Sequence, residues 1–218
     1  LFIFKESRML NTLQTPKVLR KTKKTRYLND ISIFGSCRLG LAGGGTDVPP
    51  FVDNYGGEVV NVAINLGVNI SLKVTRDDFI LFQSSDNIEI YEIGSSLDTS
   101  GPLAILKETY LYFYKNYPMS DNIKKGLIIK CDQNIPYGSG LGSSSAQTVA
   151  TVKCFYQLCN IEYTSKKIID TAIFIERHLI QMKGGYQDYF PAEFRGFNHI
   201  IFNGEQHIRN SISPNESF

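Results

Sequence analysis

The stretch PYGSGLGSSSA, Pro136–Ala146, packs three glycines and four serines into eleven residues. Before it, GLIIKCDQNIP (Gly126–Pro136) is an apolar run ending at a proline and reads as a buried strand. After it comes SSSAQTVATVKCFYQLCN, in which Ala146, Val149, Ala150 and Cys154 fall on one helical face. A glycine-rich loop between strand and helix is suited to anions. Gly138, Gly140 and Gly142 allow dihedrals that turn backbone N–H groups inward. The helix beginning near Ser143 adds unpaired N–H donors and the positive end of its dipole. Together they suit phosphates. A Walker A loop is excluded because no lysine follows the glycines, and a dinucleotide fingerprint because Ser143 stands where glycine is required. A tight turn with a serine cap uses the same residues, so the rest of the chain decides.

The chain has 218 residues, 42% hydrophobic and 20% charged, which suits one long soluble domain or two small ones. No apolar run is long enough to span a bilayer, and LFIFKESRML lacks the order of a signal peptide. The first methionine is Met9, so the chain is expected to be a fragment or to carry an extended start. Cys37, Cys131, Cys154 and Cys159 show no metal-binding or redox spacing and read as free thiols in a cytoplasmic protein. Within residues 1–26, eight Lys/Arg face one Glu, and the remainder is net acidic. Residues 1–30 are therefore expected to be a basic, disordered tail rather than a nucleic-acid interface, since an acidic body continues no such groove.

Elsewhere the pattern is mixed. ISIFGSCRLGLAGGGTDVPPF reads as a strand entering a glycine-rich turn, and Gly56–Val74 as one or two strands. FILFQSS and IEIYEI suggest a hairpin, Leu103–Asn116 a helix, and GFNHIIF a closing strand. TSKKIIDTAIFIERHLIQMKGG reads as a helix that Gly184–Gly185 would stop. Its apolar stripe of Ile169, Ala172, Ile173, Leu179 and Ile180 has Glu176 in the middle. A carboxyl group there must be paired, protonated or bound to a cation. A salt bridge to Arg177 or Lys183 satisfies it, and so does magnesium. Twelve residues on, Asp188 follows the double glycine of GGYQDYF, where backbone can approach a ligand or where the aspartate simply caps a turn.

These motifs resemble the GHMP kinases, the superfamily of galactokinase, homoserine kinase and mevalonate kinase. PYGSGLGSSSA is similar to their phosphate motif and CRLGLAGGGTDV (Cys37–Val48) to their substrate motif. With GGYQDYFPAEFRGFN, the set looks most like the D-glycero-D-manno-heptose 7-phosphate kinases, with fucokinases next. The likeness runs from about Ile33 to Phe202. It implies an α+β, ribosomal-protein-S5-domain-2-like N-terminal lobe over residues 31–205, with 206–218 a dangling end and the C-terminal lobe absent.

The resemblance also implies roles. Gly138, Ser139, Gly140, Leu141, Gly142, Ser143, Ser144 and Ser145 would wrap the phosphates of ATP, with Ser144 and Glu176 on Mg2+. Asp188 would face the acceptor hydroxyl, paired with Arg38. Thr46 and Asp47 would bind sugar hydroxyls. Gly44 and Gly45 stand where galactokinases carry Glu-His, leaving room for a larger, phosphorylated sugar. Two positions depart from the heptose kinases: Tyr186 replaces a basic residue and Tyr189 a glutamine. The implied activity is phosphorylation of the anomeric hydroxyl of a heptose 7-phosphate, with ATP and the sugar phosphate as partners and no membrane. A fucokinase-like activity and a non-catalytic nucleotide- or sugar-binding fragment are the alternatives.

Overall fold

The computed structural model describes residues 29–136, 138–204 and 206–213. Apart from Asn29 and Asp30, which open the first strand, the basic segment expected as a tail lies outside the described residues. The architecture is the expected α+β: a seven-stranded sheet with helices packed on it. Strand β1 is Asn29–Ala42, α1 Phe51–Tyr55, β2 Gly57–Thr75, β3 Phe79–Ser84, β4 Asn87–Glu92 and α2 Ala104–Asn116. Then follow β5 Gly126–Gln133, α3 Ser143–Leu158, α4 Ser165–Ile173, α5 Tyr189–Glu193, β6 Phe197–Asn203 and β7 Gln206–Ile212.

The stretch read as one or two strands is a single 19-residue β2, and it organises the sheet. It pairs antiparallel with β1 along its length, while its opposite edge takes β6 at the start and β5 at the end. The order β4-β3-β5-β2-β6-β7 is antiparallel except for β3 on β5. Val68, Ile70, Leu72 and Val74 alternate into the core, the period expected of a strand with one covered face. The β1–β2 register breaks between Ser36 and Arg38. Cys37 and Arg38 then both come within electrostatic reach of Asp188, which strict alternation denies to successive residues.

Helix α3 is the centre of the core. Ala146, Val149, Ala150 and Cys154 are buried as the periodicity implies, but so are Thr148 and Thr151 on other faces. Their hydroxyls are satisfied within the helix, donating to the carbonyls of Ser144 and Gln147 at 2.9 and 2.7 Å. Phe113 of α2 stacks on Phe155 with centroids 5.4 Å apart and meets Tyr156 edge-on at 4.9 Å, joining the two helices. All four cysteines are free and buried, as their spacing suggests. Burial pushes the thiols of Cys37 and Cys131 up to about 11, so neither offers a thiolate nucleophile.

Two expectations are corrected. The segment after β6 is not a dangling end: Gln206–Ile212 forms β7, hydrogen-bonded to β6 from Asn203 to Phe197. Its alternation is masked in sequence by polar His207, Arg209 and Asn210. The helix expected to run to Gly184 ends earlier, passing into a π turn over Phe174–Leu179. The π turn rotates the stripe, so Ile175 is buried and Leu179 exposed, while Glu176 stays buried. The two glycines serve close approach instead: a Cβ on Gly184 would meet the Arg177 guanidinium, and one on Gly185 would overlap the Asp47 carboxylate.

Close approach also seats α3. A Cβ on Gly35 would overlap the carbonyl of Ala146 in the first turn of that helix. Gly35→Ala is expected to destabilise the protein by about 2 kcal/mol, as overpacking against backbone does. Gly44→Ala, where nothing lies within 4 Å, should stay within about 0.5 kcal/mol of wild type. Urea titration of both variants checks this, and equal midpoints would refute the packing argument.

Candidate active site

The loop from Gly138 to Gly142 is shaped by its glycines. Gly138, Gly140 and Gly142 have φ of 75°, 69° and 81°, a region in which side chains are strained. Gly142 caps α3, and the first helical N–H to find a carbonyl is that of Ala146, at 3.0 Å from Gly142 O. The N–H groups at the start of α3 therefore have no partner inside the helix. They border a cleft of about 790 Å3 lined by Gly138, Ser139, Gly140, Gly142, Ser143 and Ser144. Across it stand Thr99–Pro102 and the first turns of α2. That wall is pinned by Lys107, buried in the core, whose Nζ donates to Ser100 O at 3.1 Å and to Glu89 at 3.0 Å.

A second cleft of about 370 Å3 lies beside the first, lined by Gly40, Gly44, Gly45, Gly185 and Gln187 among others. Arg38 and Asp188 line both. Arg38 Nε donates to Asp188 Oδ1 at 2.7 Å, Nη1 to Gly140 O at 3.0 Å, and its backbone N–H to Leu141 O at 3.0 Å. One arginine thus ties β1, the glycine loop and the start of α5 together. Gly142 completes the contact, since a Cβ there would stand 2.8 Å from Asp188 Cγ. Burial raises the pKa of Asp188 and is the largest effect; Arg38 opposes it, while the carboxylates of Asp47 and Glu176 add to it.

Glu176 is fully buried. Ser144 Oγ donates to its Oε1 at 2.6 Å, and Thr148 Oγ1, whose proton is shared with Ser144 O, lies 3.2 Å from its Oε2. Of the two salt-bridge partners considered, Arg177 approaches only to 3.8 Å and spends its donors on the carbonyls of Met182 and Gly185. Tyr189 is packed beneath Arg177, whose guanidinium carbon lies 5.5 Å from the centre of its ring. Among the described residues, no three His, Cys, Asp or Glu side chains are grouped to hold a metal by themselves.

Several expected site residues take other parts. The Ser145 side chain is buried in α3, so only its backbone faces the helix terminus, and Leu141 packs against the core. Thr46 and Asp47 are both engaged by groups of the chain itself, and Asp47 also lines the smaller cleft. Thr46 Oγ1 donates toward Gly43 O and Glu58 O at 2.8 and 3.1 Å and accepts from Glu58 N at 3.1 Å. Asp47 is fully buried, and both oxygens accept from Gln187, from its N–H at 2.8 Å and its Nε2 at 3.0 Å. A short carboxylate beside a glycine turn is best satisfied by the backbone that the turn brings in. Tyr186 turns away from the smaller cleft and stacks on His207 with centroids 5.4 Å apart. Gln187 and Gly40 were not singled out by the sequence; the amide immediately before Asp188 was the available signal.

A buried polar chain backs the site. Arg209 of β7 donates to Asn198 Oδ1 at 2.7 Å, Asn198 to Asn61 Oδ1 at 3.2 Å, and Asn61 to Gln187 O at 3.4 Å. The last strand therefore supports the residue next to Asp188.

Residues 104–196 match the profile of the GHMP kinases N terminal domain. The chain is 36% identical over 175 residues to the D-glycero-alpha-D-manno-heptose 7-phosphate kinase of Campylobacter jejuni, covering 78% of this chain and 50% of that one. It is 28% identical over 171 residues to a bifunctional fucokinase/GDP-fucose pyrophosphorylase of Arabidopsis thaliana, covering 73% of this chain and 16% of that one. Among solved structures, a D-glycero-D-manno-heptose 1-phosphate kinase from Bacteroides thetaiotaomicron superposes with a TM-score of 0.76 at 30% identity, over 84% of this chain and 60% of that one. The chain thus spans about half the length of the heptose kinase that it matches. The chain therefore carries the N-terminal domain of the GHMP kinases.

Proposed function

We propose that this domain provides the nucleotide and acceptor surfaces of a cytoplasmic sugar kinase. The reaction moves the terminal phosphoryl group of ATP, with Mg2+, to the anomeric hydroxyl of D-glycero-D-manno-heptose 7-phosphate. The observation that carries the reading is the Arg38–Asp188 pair, joined at 2.7 Å and lining both clefts at once. A group that serves phosphoryl transfer must meet both reactants, and among the described residues no other pair of charged side chains borders both spaces. The higher likeness to the Campylobacter heptose kinase than to the Arabidopsis fucokinase, 36% against 28%, supports heptose as the acceptor.

The larger cleft suits a nucleotide whose phosphates lie against the glycine loop. Among the described residues Arg38 is its only cationic lining side chain and is already engaged by Asp188 and Gly140, so backbone N–H groups and the α3 terminus carry the anion. Ser144 and Glu176 offer hard oxygen donors at that terminus, the type that Mg2+ takes alongside phosphate oxygens. When bound, Mg2+ neutralises phosphate charge. Asp188 orients the acceptor hydroxyl and can take its proton; burial makes it a stronger base than an exposed aspartate, and Arg38 keeps it ionised and aimed. Gly44 and Gly45 leave open the space that a seven-carbon sugar needs.

Asp188→Asn is expected to retain nucleotide affinity while turnover falls by about 100-fold or more. Nucleotide-binding titrations beside a phosphoryl-transfer assay on heptose 7-phosphate separate the two, and full turnover in the variant would remove Asp188 from the mechanism.

Glu176→Gln preserves shape and most hydrogen bonding but removes the buried charge. The nucleotide-free variant should match or exceed wild type in melting temperature, while the thermal shift produced by ATP with Mg2+ shrinks. A large loss of stability with that shift intact would make Glu176 a structural carboxylate.

A further inference from the structure

Gln187 sits between the glycine turn and Asp188 and lines the smaller cleft, with only 6% of its surface exposed. Its amide is oriented without ambiguity. Nε2 meets Asp47 Oδ1 at 3.0 Å, and a carboxylate accepts but does not donate, so the nitrogen must face Asp47 and Oε1 must face the other way. Gln187 N–H grips the other Asp47 oxygen at 2.8 Å, and Asn61 holds its carbonyl at 3.4 Å. Three hydrogen bonds fix the residue, yet Oε1 is buried with no partner. Gly40 stands beside it: a Cβ there would lie 3.8 Å from Oε1 and 3.9 Å from Arg38 Nη1. A buried acceptor left unpaired is costly, and native proteins rarely leave one without a purpose.

We propose that Gln187 is a sugar-binding residue whose Oε1 accepts a hydrogen bond from a second hydroxyl of the acceptor, while Asp188 engages the hydroxyl that is phosphorylated. Asp47 is then a positioning residue, acting through Gln187. The ligand class is a pyranose that keeps a free hydroxyl beside its reacting one, read through oxygen rather than through charge. The inference rests on the acceptor reading above. It also gives the smaller cleft a neutral recognition group at a place where Arg38, its only cationic lining side chain, is bonded to Asp188.

The test is calorimetric binding of D-glycero-D-manno-heptose 7-phosphate and its 2-, 3- and 4-deoxy analogues, with ATP and Mg2+ titrated separately. Gln187→Met should weaken the parent sugar about tenfold, the size of one lost hydrogen bond. It should leave ATP affinity unchanged. One deoxy analogue should bind wild type and Gln187→Met equally, because deleting either partner removes the same bond. Gly40→Ala keeps both Asp47 contacts but places a methyl group before Oε1, so it too should weaken the sugar and spare ATP. Parent affinity unchanged in both variants, or an equal loss in Gln187→Met for every analogue, would overturn the proposal while leaving the acceptor reading standing. A wild-type chain that binds ATP with Mg2+ but shows no saturable heptose binding would overturn both.

Discussion

The ion pair between Arg38 and Asp188 holds together parts of the chain 150 residues apart, and the geometry of both clefts depends on it. Each side chain is less than a fifth exposed. A pair this far out of water gains little net stability, because desolvation offsets most of the attraction. Breaking it leaves a buried charge without a partner, which is far worse. The pair therefore acts as a constraint on arrangement rather than as a source of stability. Arg38 extends it by bonding Gly140 O and Leu141 O, so the glycine loop is held at the height of Asp188. Gly142 lets the two meet, since any larger residue would displace the Asp188 carboxylate.

A second buried carboxylate supports the first. Asp47 lies just beyond the end of β1 and receives two donors from Gln187, which stops the 185–188 segment from moving away from the sheet. From the other side, Arg209, Asn198 and Asn61 reach the Gln187 carbonyl across β7, β6 and β2. Each link of this chain is a hydrogen bond between buried or half-buried groups, and the acceptor left over is Gln187 Oε1. The edge strand β7 is thus linked to the segment bearing Asp188 without lining either cleft.

Much of this was legible in the sequence because it rests on local patterns. The strand–loop–helix around Pro136–Ala146 announces itself through glycine spacing and a one-sided helix, and β1, the β3–β4 hairpin and α2 follow from periodicity. What escaped has a common cause. The partners of Asp47, Gln187 and Arg209 are 140, 140 and 11 residues distant, and no local pattern records such distances. Asp47 resembled a ligand because its motif is shared, whereas its burial is a tertiary fact. β7 was missed because its alternation is carried by polar residues that pair with β6 instead of packing into the core. The π turn was missed because insertion of one extra residue per turn leaves composition untouched.

That π turn explains why a carboxylate occupies the buried stripe. Continued as a regular helix, Phe174–Leu179 would carry the α4 face onward and bury Leu179. Widening the turn instead leaves Leu179 exposed and keeps Glu176 fully enclosed, 2.6 Å from Ser144 at the start of α3. Two helix segments separated by 32 residues in sequence meet there through a hydroxyl and a carboxylate. Apolar packing at the same position would hold the two helices with less desolvation cost. Retaining Glu176 places negative charge behind a helix terminus whose free N–H groups attract anions, which an apolar residue would not do. On the function proposed above, this arrangement would let a cation and phosphates share the one terminus.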